Sequence, residues 1–118
     1  MNFNEYQEKA ASFIRYPNEA AVLYPLLALS EEVGEVSGKV AKYLRKNGPE
    51  ASIELGEGLL YGHDVQQQLM LEIGDVLWNL AALCEGLGFD LQGIAQMNLD
   101  KLSKRMEVGT IIGEGDYR

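Results

Sequence analysis

Apolar residues recur at helical spacing along two long stretches of the chain, and this periodicity constrains the fold more than any other feature. In the first stretch they lie alternately three and four positions apart: Leu26, Leu29, Val33, Val36, Val40 and Tyr43. The second stretch repeats the pattern: Leu69, Ile73, Val76, Leu80, Leu83 and Leu87. Such spacing places apolar side chains on one face of an α-helix. No strand pattern competes, so the sequence predicts an all-α protein, a four- to five-helix bundle.

Helix-breaking residues separate the predicted helices. The four helices cover roughly residues 5–15, 24–45, 65–85 and 91–109. Asn4 is the predicted N-cap of the first helix, with Gln7 at the capping-box position. Residues 47–63 hold four glycines and no sustained period, which predicts a long loop in which Ser52 to Leu55 could form a helical turn. The glycine-rich residues 109–118 predict an extended tail.

Composition limits the kinds of protein that this can be. The 118 residues are enough for one domain. A formal net charge of −8 argues against direct binding to nucleic acid, which favours a basic face. The longest uncharged apolar run, residues 20–29, is about half the length that spans a bilayer, so no membrane association is expected. The single cysteine, Cys84, is most simply explained by a reducing cytoplasm.

The scarcity of histidine and cysteine directs attention to carboxylates. With one His and one Cys, the chain cannot build a zinc site from these residues. A Ser-His-Asp mechanism would need His63, which has no visible partner in its glycine-rich surroundings. Acidic side chains therefore remain as the candidates for chemistry.

Two acidic motifs match when the sequence is aligned with itself at an offset of 40 residues. Glu32-Val33-Gly34-Glu35 then aligns with Glu72-Ile73-Gly74-Asp75. Side chains advance by about 100° per residue around a helix. Each helix therefore carries a narrow polar strip beside its row of regularly spaced apolar residues, which we call its apolar seam. The first strip holds Glu32, Glu35 and Lys39, and the second holds Glu72, Asp75 and Asn79. If the two seams pack antiparallel, the strips can face each other across a cleft.

Four facing carboxylates need a compensating charge. Like charges a few ångströms apart repel strongly, so either protons return or cations bind. Oxygen ligands at this density suit Mg²⁺, with Mn²⁺ as the alternative. Gly34 and Gly74, between the carboxylates of each motif, support close approach and suggest that something needs the room there, because glycine in a helix interior costs about 1 kcal/mol. Either motif alone could be a solvated charged strip.

The two motifs together resemble the signature of the MazG-like nucleoside triphosphate pyrophosphohydrolases, in the all-α NTP pyrophosphatase superfamily. The matching residues are Glu31, Glu32, Glu35, Glu72 and Asp75. The similarity covers nearly the whole chain and includes Asn98, Lys101 and Arg105 on the last predicted helix. The chain departs from the family in residues 36–71, a longer gap between the motifs than is usual.

The resemblance implies an enzyme that cleaves a nucleoside triphosphate between its α- and β-phosphates. Glu32, Glu35, Glu72 and Asp75 would hold Mg²⁺. Glu31 would bind a further ion or orient the attacking water, which makes Glu31 and Glu35 the catalytic candidates. The candidates for binding substrate are Lys39, Asn79, Asn98, Lys101 and Arg105. Lys39 is equally placed to pair with Glu35 four positions earlier, and we favour that pair.

Two other functions fit the same pattern. The chain could be a non-catalytic acidic helical module for oligomerisation or partner binding, or a related pyrophosphohydrolase that acts on phosphoribosyl-ATP. The third predicted helix also carries apolar residues away from its seam, among them Met70 and Leu77. One small bundle could not cover them, so we expect a homo-oligomer, a dimer or a tetramer.

Overall fold

The computed structural model of the chain describes residues 1–56 and 63–117. Within these residues there are five α-helices, one turn of 3₁₀-helix at Asn18–Ala20, and no strand. The helices are α1 Phe3–Ala11, α2 Leu23–Asn47, α3 Glu50–Gly56, α4 His63–Leu87 and α5 Leu91–Glu107. The prediction of an all-α fold is confirmed. None of these helices combines the length and the apolar character needed to cross a membrane.

α1 begins two residues earlier than the sequence predicted. The Asn2 side chain accepts a hydrogen bond from the Glu5 backbone N–H at 2.9 Å, and the Glu5 carboxylate accepts one from the Asn2 N–H at 3.3 Å. These reciprocal bonds form the capping box, so its prediction at Asn4 and Gln7 is wrong. Gln7 is unavailable for capping because its side chain is buried and bonded to the α4–α5 connection.

α4 is the central helix of the fold. It packs along α2, and α1 packs on its other side. A small core forms where α1, α4 and the start of α5 meet, from the buried residues Ala10, Ala81, Cys84 and Leu91. Trp78 packs against this core and its indole N–H donates to the Ala10 carbonyl at 3.1 Å. This packing fixes α4 between α1 and α2, with its acidic motif toward α2.

The closest helix approach lies at Gly86 rather than at the motif glycines. A Cβ atom at Gly86 would overlap the backbone carbonyl of Ala21, so only glycine fits where α4 meets the residues before α2. A Cβ atom at Gly34 or Gly74 would meet nothing within 4 Å. No part of the described chain therefore fills the space beside these two glycines, and the prediction that something needs this room stays a prediction.

Two segments differ from the prediction, because the helical turn expected at Ser52 to Leu55 is part of a longer helix and the tail is not extended. The predicted loop at 47–63 contains α3, which packs on α2, and its residues 57–62 lie outside the described residues. The predicted extended tail instead forms turns across residues 109–117. It returns toward α5 because Asp116 pairs with two basic side chains of that helix.

Candidate metal site

Three of the four predicted metal ligands meet between α2 and α4. Glu32 comes from α2, and Glu72 and Asp75 come from α4, where three positions of spacing put them on one face. Each offers a carboxylate oxygen, and these oxygens all lie within 4.8 Å of one another. Glu32 and Glu72 are partly buried and Asp75 is exposed. We call these three residues the acidic cluster.

Glu31 and Glu35 lie beside the acidic cluster and outside its closest group. Both are exposed. Their charges still act on Glu32, whose pKa is raised above its ordinary value of 4.5, first by burial and then by Asp75, Glu72, Glu31 and Glu35. Five acidic side chains from the two motifs therefore share one electrostatic environment, with Glu32 at its centre.

Lys39 provides a positive charge at this site, and it pairs with Glu72 instead of the predicted partner, Glu35. Its Nζ lies 3.6 Å from Oε1 of Glu72, and both side chains are largely buried, at 27% and 18% exposed. The predicted pair with Glu35 on the same helix is replaced by an ion pair across the α2–α4 contact. Partial burial favours this partner, because a salt bridge away from water is less screened.

Asn79 lies on the predicted strip but is not open to a ligand. Only 2% of its surface is exposed, and its side-chain N–H donates to the Asp75 carbonyl at 3.0 Å. Its Oδ1 is buried without a hydrogen-bond partner. The structure thus places Asn79 beneath Asp75, where it supports the backbone that carries this carboxylate.

Tyr6 is a neighbour of the acidic cluster that the sequence did not identify. Burial raises the pKa of its phenol, and the negative charge of Asp75 raises it further, so α1 contributes a side chain to this region. No local signal marks Tyr6 in the sequence, because it lies far from both motifs and is brought to them by the packing of α1 on α4.

The other predicted substrate residues, Asn98, Lys101 and Arg105, do not join the acidic cluster within one chain. α5, which carries them, packs on α1 and α4, and among the described residues it makes no contact with α2. Asn98, placed by its spacing near the centre of an apolar stripe, is exposed. Lys101 and Arg105 both bind Asp116 of the tail at 3.1 Å.

The donor set fits a hard divalent cation. Three carboxylate oxygens within 4.8 Å are the ligand type and density that Mg²⁺ and Mn²⁺ take. Burial raises the pKa of Glu32 most, and the charges of Asp75, Glu72, Glu31 and Glu35 raise it further, so negative charge is concentrated at this site. A bound cation would offset that charge.

Comparison with known proteins gives two matches. A family model described as the MazG nucleotide pyrophosphohydrolase domain matches residues 23–109, a range that includes both acidic motifs. The chain is also 32% identical to the Gene 37 protein of Mycobacterium phage L5, in an alignment of 124 positions that covers all of both proteins. No solved structure matches the chain.

Proposed function

Because the chain belongs to the MazG nucleotide pyrophosphohydrolase family, we propose that it hydrolyses a nucleoside triphosphate between the α- and β-phosphates. The products are a nucleoside monophosphate and pyrophosphate. The observation that carries this proposal is the convergence of Glu32, Glu72 and Asp75, with carboxylate oxygens within 4.8 Å, from two separate helices.

The acidic side chains have different proposed roles, which depend on their positions in the site. Glu32, Glu72 and Asp75, together with Glu35, would hold Mg²⁺ or Mn²⁺. When bound, such cations neutralise the phosphate charge, polarise the phosphoryl oxygens and lower the pKa of the attacking water. Glu31 and Glu35 are exposed beside the cluster, where either carboxylate can orient that water and accept its proton.

Lys39 and Asn79 support the site in different ways. Lys39 is the cation paired with Glu72 of the cluster, and its ammonium group would contact a phosphate oxygen of the substrate. Asn79 holds the Asp75 backbone and therefore acts as a positioning residue. Asn98, Lys101 and Arg105 lie on α5, which does not contact α2 in the described chain, and we propose that they contact a triphosphate at the acidic cluster from the α5 of a second copy.

The test is a panel of ribo- and deoxyribonucleoside triphosphates, assayed for pyrophosphate release with and without Mg²⁺. We expect Mg²⁺-dependent release, and a loss of at least about a hundredfold in Glu72→Gln and Asp75→Asn, because even outer-shell partners of a metal contribute 10- to 100-fold. Glu107→Gln is the control, since Glu107 is exposed on α5 and lies outside the cluster.

Other results would point to the alternatives. Pyrophosphate from phosphoribosyl-ATP but from no nucleoside triphosphate would move the substrate to that class. If no nucleotide is cleaved and Mg²⁺ leaves the melting temperature unchanged, the acidic cluster is not a metal site and the protein is a non-catalytic helical module.

A further inference from the structure

A cavity of about 280 Å³ lies between the connection from α1 to α2 and the last turns of α4. Apolar side chains, among them Ile14, Pro17 and Ala82, form part of its wall. Three polar side chains also line it: Tyr16, Asn18 and Glu85. Apolar walls with a few polar groups are typical of small-molecule sites, whose volumes begin at about 300 Å³. The cavity therefore suits one flat ring system better than a whole nucleotide.

The polar side chains of this cavity have hydrogen-bonding capacity to spare. The hydroxyl of Tyr16 is buried without a partner among the described residues, although leaving such a group unpaired is costly. Its ring is held by stacking on Tyr24, with the ring centroids 4.4 Å apart. Glu85 accepts a hydrogen bond from Gln7 through Oε2 at 3.1 Å and forms no ion pair within the described ranges. An ionised carboxylate offers about four acceptor positions, so Glu85 can accept further N–H donors.

The cavity lies at one end of the helix pair that carries the acidic cluster. α2 and α4 run antiparallel, since the residues before α2 meet Gly86 near the end of α4, whereas Lys39 in the second half of α2 meets Glu72. Glu85 follows Asp75 on α4 by ten positions, which is about 15 Å along the helix axis. An extended nucleotide whose phosphates are held at the acidic cluster can place its base in a cavity at this distance.

The chemistry of the lining selects among ligand groups. A carboxylate without a basic partner repels phosphate, so this cavity is unsuited to the charged end of a nucleotide. Two adjacent N–H donors match a carboxylate best, because each of its oxygens then accepts one bond. Guanine presents such a pair in N1–H and its 2-amino group, whereas adenine and cytosine place a ring-nitrogen acceptor beside their amino group. The next group on the same edge of guanine, O6, is an acceptor and suits a hydroxyl donor.

We propose that this cavity binds the base of the substrate and that Glu85 selects guanine. Its carboxylate accepts bonds from N1–H and the 2-amino group, while the Tyr16 hydroxyl donates to O6 and so gains the partner that it lacks. Glu85 is thus a specificity-determining residue with no part in the phosphoryl step. The inference rests on the proposed hydrolysis, because the phosphates are assigned to the acidic cluster, and it makes the substrate a guanine nucleoside triphosphate.

The first experiment compares GTP with inosine triphosphate, which lacks only the 2-amino group, in the Mg²⁺-dependent assay of pyrophosphate release. We expect kcat/KM for GTP to be about tenfold higher, because a hydrogen bond to a charged group is lost with the analogue. Glu85→Gln should reduce this ratio to less than about twofold, whereas a merely structural role of Glu85 would lower both substrates alike. Glu8→Gln, an exposed acid of α1 outside the cavity lining, should keep the ratio.

A second pair of variants tests the hydroxyl. Tyr16→Phe keeps the ring that stacks on Tyr24 and removes only the proposed donor to O6, so kcat/KM for GTP should fall about tenfold. Tyr24→Phe removes the hydroxyl of the stacking partner, which does not line the cavity, and should change kcat/KM by less than about twofold. Equal losses in the two variants would overturn the assignment of Tyr16.

Binding of the base can be measured apart from hydrolysis. The full chain in EDTA is titrated with guanosine and, separately, inosine, and the NMR signal of the Gly86 backbone N–H, which belongs to the cavity lining, reports binding. We expect guanosine to shift this signal with a dissociation constant about tenfold lower than that for inosine. An inactive protein that binds guanosine selectively would lose the proposed hydrolysis and retain the base site.

The opposite results would overturn the base site and leave the hydrolysis standing. They are equal kcat/KM values for GTP and inosine triphosphate in an active enzyme, an equal change of their ratio in Glu8→Gln and Glu85→Gln, and a Gly86 signal that guanosine does not shift or that inosine shifts equally.

Discussion

Glu32 is the residue on which the electrostatics of the candidate site converge. It lies on α2 among the carboxylates of Glu72, Asp75, Glu31 and Glu35. Burial and these charges disfavour its ionised form, so its pKa rises above 4.5. Within the pH range between 4.5 and the raised pKa, the folded protein holds a proton that the unfolded chain has released. Stability in that range therefore falls as the pH rises.

The melting temperature of the metal-free protein should consequently depend on pH, and Glu32 should contribute to that dependence. As the pH is lowered from 7 toward 5 in EDTA, Glu32 is expected to contribute a rise in melting temperature, and Glu32→Gln should reduce that rise. At pH 7 the variant should melt a few degrees higher than the unmodified protein, and it should gain less on addition of Mg²⁺. Glu107→Gln serves as the control, and identical melting profiles for all three proteins would contradict the assignment.

Gln7 shows how a residue's role can depend on contacts that are distant in the chain. Its side-chain amide donates to the Phe89 carbonyl at 2.9 Å and to Glu85 at 3.1 Å, and its oxygen accepts from the Leu91 N–H at 2.8 Å. The sequence indicated a local capping role instead. The three partners lie 78 to 84 positions away, so no nearby pattern could have revealed them.

At the scale of the helices, the fold depends on how closely α4 approaches the residues before α2. Gly86 lies at this contact, one residue before the end of α4, and faces the backbone of Ala21. The backbone cannot yield as a flexible side chain would. The position of the Gly86 contact therefore helps to set how α2 and α4, the two helices of the acidic cluster, lie against each other.

Substitution of two glycines on α4 should separate packing from helix propensity. Gly86→Ala is expected to lower the free energy of unfolding by about 1–3 kcal/mol, as overpacking does. Gly74→Ala should raise it by up to about 1 kcal/mol, because alanine favours the helix and its Cβ meets nothing. Urea denaturation of both variants checks this. An equal effect of the two substitutions would show that the Ala21 contact does not constrain α4.

At the scale of the whole molecule, the single chain exposes more surface than a compact protein of its size. Its accessible surface is 8689 Å², whereas about 6,400 Å² is typical of a monomer of 13.1 kDa. Its radius of gyration is 17.6 Å, compared with about 13.5 Å for a compact chain of this length. Large apolar side chains on α2, α4 and α5 are more than half exposed, among them Leu27, Leu71, Ile73 and Met97.

Exposed apolar helix faces of this extent predict a homo-oligomer, because burying them in a second copy removes apolar surface from water. Light scattering coupled to size-exclusion chromatography should give a mass that is a multiple of 13.1 kDa at micromolar concentration, with dissociation only on strong dilution. A mass of 13.1 kDa throughout the dilution series would refute the prediction and would also remove the route by which α5 could reach a second chain's acidic cluster.

The sequence alone predicted the helical fold, and it predicted that the two acidic motifs meet if the apolar seams of their helices pack antiparallel. Both predictions rest on local geometry, since a helix repeats every 3.6 residues and this repeat sets each acidic strip beside the apolar seam of α2 or α4. The position of Glu32, Glu72 and Asp75 relative to those seams is fixed by the same rule.

Only the tertiary structure decided which side chains meet across helices. It paired Lys39 with Glu72, buried Asn79 beneath Asp75 and returned Asp116 to α5. It also assigned close packing to Gly86 instead of Gly34 and Gly74. These contacts depend on distances between segments that are remote in the chain, and helical periodicity gives a side chain's direction around its own helix without giving its distance to another.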